Sequence, residues 1–312
     1  KNIHNVYLKN NTSTWGLCSS LGEITISTNT LFTPNWVLDY IIVHEICHLI
    51  HPNHSKSFWN LVEQYYPKYR EAKKFLKEKD ISILEPSCGD GEFVSSFFKN
   101  INFEKVNKIS LDLLDIDKNE LEKAKALAPK LNQVKINTHH QDYLRFFLEK
   151  KNMYSLIIGN PPYIKKANLK KDQIDICQEI NHKIKEYSTK IKSKSTIKNI
   201  WPAFIEASIM SLKDNGILCF VIPSEILQVK YAKELRELIT DEFDRVEVFA
   251  FNELIFKGIQ QDVVALIGVK GVKNTEEHGF SFYQVDKLED LKEPKFTELN
   301  NNIHRTTLDK WT

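Results

Sequence analysis

Asn160-Pro161-Pro162-Tyr163 follow directly on the apolar run 154-YSLIIG. Two prolines in a row remove two backbone donors and stiffen the loop. The Asn160 amide oxygen and the Pro161 carbonyl can then both point at one amino group, which suits a planar exocyclic NH₂ as substrate. The Tyr163 ring offers a flat face on which a base can stack. Upstream, 83-ILEPSCGDGEF runs from a buried strand into Gly89-x-Gly91 and on into a helix. Glycines let the backbone approach a ligand closely, and a helix amino terminus favours negatively charged groups. The loop lacks the Lys-Ser/Thr ending of a P-loop, which argues against a nucleoside triphosphatase. Between these motifs, 111-LDLLDID carries Asp115 at a strand end, about 25 residues beyond the glycines, where an acid can accept both hydroxyls of a ribose. Asp117 is placed to cap the helix that follows.

A second constellation lies earlier. Residues 37-VLDYIIVHEICHLIHPNHSKSFW read as an apolar helix carrying His44-Glu45-x-x-His48. Positions i and i+4 share one helix face, so both imidazoles can reach one metal. His54 supplies a third ligand after the helix ends near Pro52, and Glu45 is available to polarise a metal-bound water. Three protein ligands with one open position form the catalytic zinc arrangement. The alternative is a buried helix that happens to bear histidines.

The elements that must hold these residues change character near residue 77. Beyond it, the apolar runs 81-ISILEP, 109-ISLDLLDID, 154-YSLIIGNPP, 217-ILCFVIP, 246-VEVFAF and 263-VVALIGV alternate with segments of helical spacing such as 118-KNELEKAKALAPKL and 230-KYAKELRELITDEF. This predicts an α/β domain over 77–312, with a mostly parallel sheet covered by helices on both faces and ligands beyond the strands' carboxyl ends. Residues 1–76 form a separate, mainly helical segment. A net charge of +2 over 312 residues does not by itself indicate nucleic acid. The Lys-rich stretch 165–198 reads by itself as a solvated loop or helix pair, and its place directly after Tyr163 favours contact with a polyanion. The five cysteines form no CxxC pair, so neither a disulfide framework nor a cysteine zinc knuckle is suggested, which fits a reducing cytoplasm. No apolar run is long enough for a membrane span.

Trp15-Gly16-x-Cys18-Ser19, His44-Glu45-Ile46-Cys47-His48, Asn53-His54-Ser55 and Phe58-Trp59 resemble the YgjP-like zinc metallopeptidase-related family over about residues 12–76. The resemblance implies Zn²⁺ on His44, His48 and His54, with Glu45 as general base. The second half resembles gamma-class N6-adenine DNA methyltransferases of the bacterial restriction–modification type, which implies a Rossmann-like fold and S-adenosylmethionine as cofactor. It matches Glu85, Pro86, Gly89, Gly91 and Phe93 to the first cofactor motif, Asp115 to the ribose acid and Asp142 to the acid for the cofactor's adenine amine. Phe204 matches an aromatic beside the cofactor. Asn160, Pro161, Pro162 and Tyr163 match the catalytic loop, and Phe256 matches the aromatic on the target base's other face. The implied substrate is double-stranded DNA with its target adenine flipped out, and the implied chemistry is direct methyl transfer. Such enzymes commonly carry target recognition in a further domain. The competing readings are methylation of RNA adenine or protein glutamine, and a zinc-centred protein with a degenerate methyltransferase module.

Overall fold

The computed structural model describes residues 3–9, 14–19, 21–28, 30, 33–77, 80–103, 106, 108–150, 153–188, 197–251, 262–271, 279–292 and 304–306. The chain forms two compact units, residues 1–80 with 101–108, and residues 81–100 with 109–312. The inclusion of 101–108 in the first unit was not legible in the sequence.

The first unit has strands β1 (Asn5–Lys9), β2 (Gly16–Cys18) and β3 (Glu23–Ser27), then helices α1 (Asn35–His48), α2 (Lys56–Tyr65) and α3 (Tyr69–Lys77). The sheet order is β1-β3-β2, with β1 parallel and β2 antiparallel to β3. Strand alternation turns Ile24 and Ile26 inward. They pack in one core with Val37, Tyr40, Ile41 and Cys47 of α1, Phe58 and Val62 of α2, and Ala72 of α3. Helix α2 starts at Ser55, whose side chain accepts the Phe58 amide at 3.3 Å, a conventional N-cap that fixes the turn after His54.

The second unit runs β4 (Asp80–Glu85), α4 (Glu92–Asn100), β5 (Lys108–Asp115), α5 (Lys118–Ala126), β6 (Val134–His140), α6 (Tyr143–Glu149), β7 (Tyr154–Gly159), α7 (Lys171–Tyr187), α8 (Trp201–Ser211), β8 (Leu212–Pro223), α9 (Lys233–Glu242), β9 (Arg245–Phe251), β10 (Val263–Val269), β11 (Gly279–Val285) and β12 (His304–Thr306). These strands form one nine-stranded sheet, ordered β12-β11-β9-β10-β8-β7-β4-β5-β6. The pairs β5/β6, β4/β7 and β7/β8 are parallel. On the other side β10 lies antiparallel between β8 and β9, while β11 is parallel to β9. The expected mostly parallel sheet with covering helices is present.

Helix α8 is apolar nearly all round, as a helix buried on every side must be. Trp201, Ala203, Phe204, Ile205, Ala207 and Ile209 are all buried, and the helix packs among α6, α7 and α9. Asp112 of β5 is a buried polar tie across the sheet. It accepts from Tyr154 of β7 at 2.6 Å and from Asn137 of β6 at 2.7 Å. Among the described residues no helix is long and apolar enough to cross a membrane.

Candidate active site and metal centre

Strand β4 opens the second unit, β5 and β6 follow to one side of it, and β7 returns to its other side. The strand order therefore reverses between β4 and β7. At such a switch point the connections leave in opposite directions, opening a crevice at the strands' carboxyl ends. The loops after β4 and β7 are the glycine loop and the Asn-Pro-Pro-Tyr loop.

In the first loop Gly89 and Gly91 both adopt positive φ, +49° and +86°. Their surroundings differ. A Cβ on Gly89 would meet nothing within 4 Å, whereas one on Gly91 would lie 2.6 Å from Ala124 Cα of α5. Gly89 thus lies beside open space, and Gly91 is required by helix packing. The Gly89 amide donates to Asp115 Oδ2 at 2.8 Å, and the Asp117 amide donates to Asp115 Oδ1 at 2.8 Å. Asp117 itself caps α5, accepting from Asn119 at 2.7 Å. Of the two acids at this strand end, Asp117 thus takes the capping role. Glu85, at the end of β4, is 1% exposed, and its Oε1 has no hydrogen-bond partner. Burial, with the carboxylates of Asp115 and Asp90 nearby, raises its pKa well above the usual range. A buried acceptor without a donor is costly, and a ligand ammonium would satisfy it. Pro86 is buried beside it, and Cys88 is buried with its thiol pushed up to about 12 by that burial. Such a thiol is no nucleophile at neutral pH.

Asp142 caps α6, its Oδ1 accepting from Leu144 at 2.9 Å and Arg145 at 3.2 Å. It shares a cavity of about 250 Å³ with Ile116, Lys170 and Gln173. Ile116 is 71% exposed and directly follows Asp115. An exposed apolar side chain beside Asp115 is a signal that sequence reasoning passed over. Phe204 is buried in the core, 5.2 Å from the Tyr143 ring, and Phe93 is half-buried on α4. Phe256 lies outside the described residues.

In the second loop the Ser87 hydroxyl donates to the Asn160 carbonyl at 3.0 Å, joining the glycine loop to the Asn-Pro-Pro-Tyr loop. Pro161 is buried and Pro162 half-buried. The Tyr163 hydroxyl donates to Asn160 Oδ1 and lies 2.9 Å from the Val221 carbonyl of β8. Burial raises the pKa of this phenol, keeping it protonated. Ser87 and the Tyr163 hydroxyl were not singled out from the sequence.

In the first unit one ligand atom from each of His44, His48 and His54 lies within 4.8 Å of the others. The Nε2 atoms of His44 and His54 are 3.0 Å apart. A tetrahedral zinc with bonds of about 2.0–2.1 Å holds its ligand atoms about 3.3 Å apart, so the cluster is close to the needed size. On His44 and His48 the other ring nitrogen also has a partner, as on ligating histidines. His44 Nδ1 faces the Tyr40 hydroxyl at 3.4 Å, and His48 Nδ1 faces the His51 carbonyl at 3.1 Å. Phe58 stacks on His48 and Trp59 on His54. Burial, with His48, His54 and Lys73 close by, lowers His44 to about 3, leaving the neutral imidazole that binds metals. Glu45 is not one of the clustered groups. It is buried and packs against Gly16, where a Cβ would come within 2.7 Å of its Oε1. Burial raises it to about 7.

Residues 57–256 match the family model of Eco57I restriction-modification methylases. The chain belongs to the Eco57I restriction-modification methylase family. Residues 1–79 also match the YgjP-like metallopeptidase domain. Among curated relatives of this Eco57I-family chain, the Type II methyltransferase M.AccI of Acinetobacter calcoaceticus is 28% identical over 207 residues, 65% of this chain and 35% of that protein. A Type II methyltransferase of Thermus thermophilus is 30% identical over 193 residues, 61% of this chain and 40% of that one. The Eco57I-family chain thus spans well under half the length of these relatives. A class I S-adenosylmethionine-dependent methyltransferase of known structure from Listeria monocytogenes superposes with a TM-score of 0.52 at 18% identity, covering 76% of this chain and 69% of that one. The second unit has the fold of S-adenosylmethionine-dependent methyltransferases.

Proposed function

We propose that this chain transfers a methyl group to the N6 amine of an adenine in DNA, as the modification activity of a restriction–modification system. The observation that carries this is the Ser87–Asn160 hydrogen bond at 3.0 Å. It joins a loop suited to a nucleoside cofactor to a loop suited to an exocyclic amine, in one crevice. S-adenosylmethionine, when bound, supplies a methyl group on a positively charged sulfur. The residues fit that cofactor: Glu85 has an unsatisfied acceptor for its ammonium, Asp115 is held for its ribose, and Ile116 with Asp142 lines a cavity for its adenine. Asn160 and the Pro161 carbonyl accept from the target amine and turn its nitrogen lone pair toward the methyl position. The target base must leave the stack to reach them, and Tyr163 offers its ring to the extruded base. Positioning and electrostatic complementarity account for the catalysis without a covalent enzyme intermediate. Residues 81–100 and 109–312 form this catalytic domain, with sequence recognition carried by a further domain or subunit.

The test is transfer of labelled methyl from S-adenosylmethionine to unmethylated DNA, to RNA and to protein. Label at adenine N6 of DNA is expected. Asn160→Ala should lower turnover about 10²–10³-fold, by analogy with loss of one donor at an oxyanion hole. Label appearing in glutamine or in RNA instead would overturn the assignment.

The first unit supports a separate reading. Residues 1–76 bind one Zn²⁺ through His44, His48 and His54, with Glu45 as the base beside it, and the close approach of the His44 and His54 Nε2 atoms favours this.

A further inference from the structure

The Tyr163 hydroxyl faces two acceptors, Asn160 Oδ1 and the Val221 carbonyl at 2.9 Å. A phenol carries one proton, so it cannot donate fully to both. The Val221 carbonyl belongs to β8 and is fixed by the sheet. The Asn160 amide hangs on a rotatable bond, and its two ends are nearly equal in size. A half-turn of that amide removes the conflict. Nδ2 then donates to Tyr163 Oη, Tyr163 donates to Val221, and Oδ1 lies at the opposite end of the amide. Pro161 and Pro162 have no N–H and cannot orient the side chain themselves.

We propose that the Tyr163 hydroxyl is a positioning group that sets which end of the Asn160 amide meets the target amine. The inference deepens the methyl-transfer reading and rests on it. When an amine arrives it needs an acceptor, and the turned amide supplies Oδ1 while its Nδ2 remains bonded to the same phenol. With its one proton taken by the Val221 carbonyl, the hydroxyl accepts from Nδ2 and so holds Oδ1 toward the amine, a role that needs a group able both to donate and to accept. A phenylalanine ring would stack on the base equally well and could do neither. The ring is therefore the platform for the base, and the oxygen orients its neighbour.

The test compares the whole chain with its Tyr163→Phe variant, labelled with ¹⁵N-asparagine. The Asn160 side-chain amide signal is identified by its disappearance in Asn160→Asp. In Tyr163→Phe that signal should shift, and its protons should exchange with water several-fold faster. Turnover should fall roughly three- to tenfold, the size of one modest hydrogen bond, with KM for DNA, cofactor affinity and melting temperature nearly unchanged. An Asn160 amide signal identical in both proteins would overturn the proposal, and so would full turnover in Tyr163→Phe. If the unmodified protein methylates no DNA, the function reading falls, while the amide signal still decides the Asn160–Tyr163 contact.

Discussion

The amide of Gly89 and the Oδ2 of Asp115 are 2.8 Å apart, so the turn after β4 and the acid at the end of β5 are one unit. With the Asp117 backbone amide donating to the other oxygen, the carboxylate is fixed before any ligand arrives. Each oxygen keeps a lone pair for a ribose hydroxyl.

Asp115→Ala should therefore weaken S-adenosylmethionine binding at least tenfold, since hydrogen bonds to charged groups contribute about 1.5–3 kcal/mol each. Asp115→Asn should fall in between, because one of its two ends is a donor facing a donor. Calorimetric titration measures both. Equal affinity in wild type and Asp115→Ala would remove this residue from the cofactor site.

The two glycines of the loop should separate stability from binding. Gly91→Ala drives a methyl group into the backbone of α5 at a positive φ, so it should cost about 1–3 kcal/mol of stability. Gly89→Ala meets open space and should be the milder change in melting temperature, with the larger loss in cofactor affinity. Thermal melts with and without S-adenosylmethionine distinguish the two, and the reverse pattern would exchange their roles.

Purified protein should carry close to one zinc per chain, and His48→Ala should lose it. Elemental analysis before and after dialysis against a chelator makes the measurement. Cofactor affinity should survive metal removal, because no residue proposed for the cofactor is a histidine of the first unit. A metal-free protein with an intact first unit would reduce the three histidines to packing groups.

Glu206 of α8 is buried, and that burial raises it from 4.5 to about 7, against the hydrogen bond from Asn181 and the charge of Lys185. Its folded pKa exceeds its unfolded one, so the folded state holds the extra proton. The stability linked to that proton is present below about pH 4.5 and is lost as pH rises to about 7. Glu206→Gln keeps the acceptor for Asn181 and removes the charge. It should stabilise the protein above pH 7, by about 3 kcal/mol at most, and do little near pH 4. Denaturant melts at the two pH values provide the check; a gain of equal size at both would rule out ionisation as the cause.

The apolar runs that became β4, β5, β7, β8, β9 and β10 were legible because a strand buried on both faces needs a continuous apolar stretch. β6, with the sequence VKINTHH, was not legible: it is the edge strand and its side chains are half-exposed and polar. The same reasoning missed the first-unit strands, which are short. Residue types placed Asn160 and Tyr163 together, but a ring read as a stacking surface gave no hint of the hydrogen bonds made by its oxygen. Gly91 shows the converse, since its motif position suggested a ligand and its surroundings show a helix.

The position of β10 has a consequence for how the chain is made. It lies between β8 and β9 although it follows both in sequence. As the chain leaves the ribosome, β9 emerges with no place to dock until residues up to 269 have also emerged. Until then the exposed edges of β8 and β9 are open to pairing with other chains. A fragment ending at residue 256, where the match to the methylase family stops, would leave that gap unfilled. It should aggregate or require a chaperone, so the smallest independently folding piece of the second unit extends at least through β10.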